Sequence, residues 1–152
     1  MPVLPFYQFE LKDKLNSKPQ CFDSFNFLFL LQGTGTIRCR NQLIHLKPHD
    51  FTFFNMYEIH QFLTFSPDAR VLSVLIHKSY IQSAVPELTD MTLNTHAVTP
   101  ESEPERYEFF CQEFGKFIYY HTVHSPGAQL HALSHLGNLL SYILNQLSTS
   151  SA

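Results

Sequence analysis

The chain reads as mainly β with α: a barrel of short strands followed by a C-terminal two-helix hairpin. Two observations predict this. From 25 to 62 the sequence FNFLFLLQGTGTIRCRNQLIHLKPHDFTFFNMYEIHQF alternates short apolar runs with turn residues. Strands at that spacing close into a barrel or sandwich. From 104 to 147 apolar residues recur at helical spacing around a single break, His124-Ser125-Pro126-Gly127. A barrel of this size can enclose one small ligand, so its interior is the first place to look for function.

Taken in order, 6–11 fits a strand or an extended arm. A polar loop follows and ends in Lys18-Pro19-Gln20. The apolar run 25–31 stops at Gln32-Gly33-Thr34-Gly35. Strands over 36–40, 43–46 and 51–54 are separated by Asn41-Gln42 and by Lys47-Pro48-His49-Asp50. A turn over 55–58 leads to a restart at Ile59-His60, which runs on through 61–65 to Ser66-Pro67-Asp68-Ala69. The run 70–77 is apolar on both faces, as in a strand buried on both sides. A short helix is expected over 79–88, capped by Ser79 and stopped near Pro86, and 89–99 is irregular or a last strand.

Thr99-Pro100-Glu101 and Ser102-Glu103-Pro104-Glu105 each combine a capping hydroxyl, an early proline and acids near the positive end of a helix dipole. Tyr107, Phe110, Cys111, Phe114, Phe117 and Ile118 then form one stripe. In the second helix Leu133, Leu136, Leu140, Ile143 and Leu147 alternate steps of three and four, which is heptad spacing. These five are the expected seam of a homodimer; the other reading packs both helices on the barrel. The division is then 1–98 barrel with an N-terminal arm, 99–147 hairpin for dimerisation, and 148–152 the polar opening of a linker.

With 152 residues, 44% of them hydrophobic, and 15 Phe, the chain has material for a single core. Ten Lys and Arg against a net charge of −3 disfavour direct binding of a nucleic-acid duplex. Cys21, Cys39 and Cys111 are odd in number and lack metal-like spacing, so they read as reduced thiols. The opening MPVLPFYQFELKDK does not have the form of a signal peptide, and the apolar runs are too short to span a bilayer. The expectation is a cytoplasmic protein with no membrane partner.

Gly33, then Pro48-His49-Asp50 before 51–55, then Glu58-Ile59-His60, resemble a cupin core. With the hairpin and polar tail behind it, the order is similar to the N-terminal effector-binding domain of AraC-type transcription regulators. The resemblance covers roughly 6–147. It implies a cupin-like double-stranded β-helix that binds a small-molecule effector, a hairpin that dimerises, and DNA contact only through a C-terminal helix-turn-helix domain that this sequence does not include.

Departures from the family pattern shape the site. Metal-binding cupins carry a glutamate seven residues before the first glycine, preceded by His-x-His; here Asn26 takes that place, and the preceding stretch is Pro19-Gln20-Cys21-Phe22. His60 matches the histidine of the second cupin motif. One imidazole is too few donors for a first-row metal, so neither a metal, a cofactor nor a catalytic residue is expected. In the arabinose-binding member a tyrosine that touches sugar falls on Phe62, the arginine before the glycine turn falls on Gln32, and sugar contacts fall near Val74 and Ile76. So aligned, the pocket is more apolar than a sugar site, and arabinose is disfavoured.

The expected ligand-binding set is therefore Asn26, Gln32, Arg38, His60, Phe62, Val74 and Ile76, with Arg38 facing a carboxylate if the ligand has one. The effector would be a sugar or another small metabolite. His131 and His135 lie four apart on one helix but lack an acidic partner nearby in sequence, so they read as exposed helix histidines, and His96 needs no function. The rival reading is a metal-dependent or acid-base cupin enzyme, an isomerase or dioxygenase. It would need a second group beside His60, and Glu58 is the candidate.

Overall fold

Alternation of side chains sorts this protein into two facing sheets and a helical cover, with a third, two-stranded sheet of β10 and β8 beside them. The computed structural model describes residues 6–150. The part of the expected arm before Phe6, and Ser151 and Ala152 of the expected linker, lie outside them. The strands are β1 (Tyr7–Lys12), β2 (Phe25–Gln32), β3 (Gly35–Cys39), β4 (Gln42–Leu46), β5 (Phe51–Phe54), β6 (His60–Phe65) and β7 (Arg70–Ile76). After α1 (Lys78–Ala84) and a 3-10 turn at Pro86–Asp90 come β8 (Met91–Leu93) and β9 (Ala97–Val98). The chain finishes with α2 (Pro104–Thr122), α3 (Ala128–Gln146) and β10 (Ser148–Ser150).

One sheet has the order β1-β7-β2-β5-β9 and a smaller one has β4-β3-β6. Their facing sides meet as a cupin-like barrel. Leu28, Leu30, Phe54 and Val71 from the larger sheet pack with Ile37, Cys39 and Phe62 from the smaller, in one buried cluster. Gly33 turns the chain between β2 and β3 at φ 86, where a Cβ would collide with Ser66 and the Ala69 backbone.

The opposite side of the larger sheet is a second core. Phe25, Phe27, Phe51, Phe53, Val74 and Ile76 point away from the barrel into α2 and α3. Phe27 and Phe114 have ring centroids 5.5 Å apart, and Phe51 meets Phe110 edge-on at 5.5 Å. Each of these rings is buried to within a few per cent of its surface. Burying such side chains stabilises by about 1.5–3 kcal/mol apiece.

Four expectations are corrected here. Leu133, Leu136, Leu140, Ile143 and Leu147 do not form an exposed seam; all five are buried in the same core as Phe27 and Phe53. A heptad stripe fits a sheet-and-helix cover as well as a partner helix, and here it is used within the chain. The barrel and hairpin therefore share one core across the expected boundary at 98–99. The tail does not open as a free linker, because Ser148–Ser150 pairs antiparallel with Met91–Leu93, and Asn94 N–H donates to Leu147 O at 2.7 Å. His135 has an acidic partner after all, in space: Glu113 of α2. His131 stacks on Tyr120 at 4.6 Å.

Local starts differ in detail. α1 begins one residue before Ser79, behind His77, and Pro86 opens the 3-10 turn. α2 uses the second proline signal, with Pro104 in its first turn, and Ser102 Oγ accepts from Thr99 N–H at 3.0 Å just ahead of it.

Candidate functional site

The inner face of the barrel carries the buried polar groups. Asn26, Thr52 and Ser73 come from the larger sheet and His60 from the smaller, each nearly inaccessible to solvent. The turn between β5 and β6 aims Glu58 at them. Tyr57 takes a left-handed φ of 64 there, and Glu58 Oε1 accepts from the Asn55 backbone N–H at 3.1 Å. Asn55 in turn donates its amide to the carbonyls of Leu88 and Met91, at 3.0 and 3.1 Å. That anchors the turn to the 3-10 segment.

Glu58 is the hub. Its Oε2 lies 2.9 Å from His96 Nε2 and 3.1 Å from the Arg40 guanidinium. Arg40 enters from the β3–β4 turn, where its φ is 57. His96 comes from the loop between β8 and β9, whose carbonyl accepts from Thr52 Oγ1 at 2.6 Å. Burial pushes the Glu58 carboxyl up, but the His96 hydrogen bond and charge, the Asn55 N–H and Arg40 outweigh it, so Glu58 ionises below the usual carboxylate range.

His60 stacks flat on Phe54, with centroids 4.1 Å apart. Its Nδ1 lies 3.0 Å from the Glu58 carbonyl, which only accepts, so the ring carries its proton there and Nε2 presents a lone pair. Asn26 Nδ2 approaches that lone pair at 3.5 Å. Burial holds His60 below the ordinary imidazole range, against the opposing pull of Glu58, so it stays neutral. Asn26 Oδ1 and His96 Nδ1 are buried without a partner. Cys39, at the end of β3, faces the same group; burial first, then the Glu58 charge, push its thiol up to about 12.

A cleft of about 440 Å³ opens over this assembly, with Arg38, Arg40, Tyr57, Glu58 and His60 on its walls. Two smaller clefts, of about 250 and 310 Å³, flank Phe62 beneath the loop after β1. Of the expected site residues, Asn26, His60 and Phe62 are therefore inward-facing, and Arg38 stands on the cleft rim, exposed.

Gln32, Val74 and Ile76 are corrected. The register slips between Leu30 and Gln32, so Gln32 leaves the inner face and is exposed. Val74 and Ile76 do share a face, as expected, but it is the helix-covered one. Val71 and Ser73 are buried inner residues of that strand.

Sequence reasoning passed over Cys39, Arg40 and His96. They lie in three separate turns or strand ends with no common spacing, and only the fold assembles them. The metal position of the cupin family does not fit this chain. Asn26 offers a carboxamide in place of a carboxylate, and His60 supplies one ring nitrogen beside it.

No protein-family model matches the sequence, and no curated protein matches it. Solved structures do. The AraC-like transcriptional activator CuxR is 8% identical, with a TM-score of 0.60 over 86% of this chain and 45% of its own. ToxT from Vibrio cholerae is 9% identical, with a TM-score of 0.53 over 94% of this chain and 58% of its own. This chain therefore spans about half the length of these two proteins, and the likeness shows a shared fold. Among the described residues no helix is long and apolar enough to cross a membrane.

Proposed function

We propose that this chain is the ligand-sensing part of a transcription regulator of the AraC type, acting through binding and not catalysis. A fold shared with the AraC-like transcriptional activator CuxR over most of the chain supports this. The observation that carries it is the inner-face group of Asn26, His60 and Glu58 beneath an open cleft. Buried polar atoms without partners, such as Asn26 Oδ1, are costly in a fold and inexpensive to pair with a ligand. Arg38 and Arg40 at the rim suit a small metabolite that carries an acid or several hydroxyls.

Ligand affinity that differs between two arrangements of barrel and hairpin would supply the regulatory signal. DNA would be read by a separate helix-turn-helix domain. Pairing of two chains belongs to the same reading, through surfaces other than the five buried leucine-stripe residues. Sedimentation of the purified chain tests pairing, with a dimer expected and a monomer at micromolar concentration counting against it.

The sensing test uses this chain fused to an operator-binding domain that requires pairing. A panel of sugars, polyols and small carboxylates is screened for a shift in operator affinity. One responsive compound is expected, with the response lost in Asn26→Ala and His60→Ala. A panel with no responder, or a response that survives both substitutions, counts against the proposal.

A further inference from the structure

We infer that Cys39, Glu58 and His96 form a binding site for a soft divalent cation, with Zn²⁺ the best-fitting ion. The Cys39 Sγ, a Glu58 carboxylate oxygen and a His96 ring nitrogen all lie within 4.8 Å of one another, and all three residues are buried. They converge from the end of β3, the β5–β6 turn and the β8–β9 loop. Zinc held tetrahedrally at about 2.0–2.3 Å needs donors roughly 3.3–3.8 Å apart, so closing this triangle takes shifts of about 1 Å. A mixed sulfur, nitrogen and oxygen set disfavours Mg²⁺ and Ca²⁺, which take oxygen alone. Three protein donors leave a fourth position, and the cleft along Glu58 is the entry path.

Two independent features point the same way. His96 is 6% exposed, and its Nδ1 is buried with no partner, so the ring holds coordinating capacity that the fold leaves idle. Arg40 places a guanidinium 3.1 Å from Glu58 Oε2, from a side chain that is more than half exposed. Arg40 stands where positive charge is wanted, and its exposed side chain is free to swing into the cleft when an ion arrives. The Cys39 thiol, neutral at physiological pH because burial and Glu58 push it up to about 12, would lose its proton to solvent as the sulfur–metal bond forms. No oxidation is involved. The site shares Glu58 with the group proposed for effector binding but uses neither Asn26 nor His60.

Co²⁺ alone is the probe, with Zn²⁺ as competitor, in the chain carrying Cys21→Ser and Cys111→Ser so that the exposed thiols are silent. One equivalent should bind with thiolate-to-cobalt absorption in the near ultraviolet and visible bands of tetrahedral intensity, and Zn²⁺ should abolish both. Cys39→Ser should remove the near-ultraviolet band. His96→Gln should weaken binding on the order of tenfold or more, as loss of a ligand must cost at least what loss of its supporting shell costs. Arg40→Gln, an exposed change that leaves the core intact, should tighten binding about fivefold, the worth of one partly exposed ion pair. Absence of saturable uptake, uptake without the sulfur band, equal affinity in Cys39→Ser, or weaker binding in Arg40→Gln overturns the site. The read-out is metal absorption alone, so its failure is separate from any failure of effector sensing.

Discussion

The two faces of the β1-β7-β2-β5-β9 sheet have opposite chemistry although their residues alternate along the same strands. Along β2, Phe25, Phe27 and Phe29 turn to the helices, while Asn26, Leu28 and Leu30 turn to the barrel. The helix-facing side is aromatic and dry, and its contacts are ring on ring. The barrel-facing side mixes apolar groups with Asn26, Thr52 and Ser73, and beyond them stands the Glu58 hub. The first face is built for stability. The second spends stability on buried polar atoms, two of which lack partners. Proteins retain that kind of cost where something binds.

The sharpest way to break this contrast is a charge in the helix-facing core. Leu140→Asp should unfold the whole chain, because Leu140 is 1% exposed. Loss of the circular-dichroism melt is the measurement, and a folded monomer would instead restore the seam reading. Phe27→Ala on the same side should cost about 3–5 kcal/mol in urea unfolding. On the barrel side Glu58→Ala should cost about 2–3 kcal/mol, since it leaves the buried His96 Nε2 and the Asn55 N–H without their acceptor and removes the Arg40 ion pair.

Smaller effects separate the faces by pH. Cys39 has its pKa raised from 9.0 to about 12, so the folded state favours the neutral thiol. That stability is complete below pH 9 and is lost as pH rises toward 12; the parent should therefore lose stability more steeply over that window than Cys39→Ser. His60 and Glu58 are shifted down. Their contributions are complete above the ordinary imidazole and carboxylate ranges and are lost as pH falls through the lowered values. Least costly is Asn26→Ala, at about 1 kcal/mol or less, because its one hydrogen bond is long and its Oδ1 has no partner.

Much of this fold was legible in the sequence, and the reasons are local. β5 and β6 start and stop where turn residues bracket apolar runs, and Gly127 stands where the hairpin bends. What could not be read is facing. Both sides of β7 are apolar, so Val74 and Ile76 carry no mark of which core they join; Ser73 is the one polar hint. The heptad steps in α3 state that one side is buried and not by what. Gln32 was misplaced by a one-residue slip, which reverses every side chain after it. The burial of His60 and Asn26 on the inner face agrees with their place in the motif order. Cys39 and His96, 57 positions apart by number, could be joined only by the closed barrel.

The ribbon made by β10 and β8 has a mechanical consequence. The strand that follows α3 is stitched to Met91–Leu93, and Thr149 reaches Asn94 at 3.2 Å, two residues before His96. The strand after α3 and the loop that carries His96 are thereby tied to each other by backbone pairing and by a side-chain hydrogen bond.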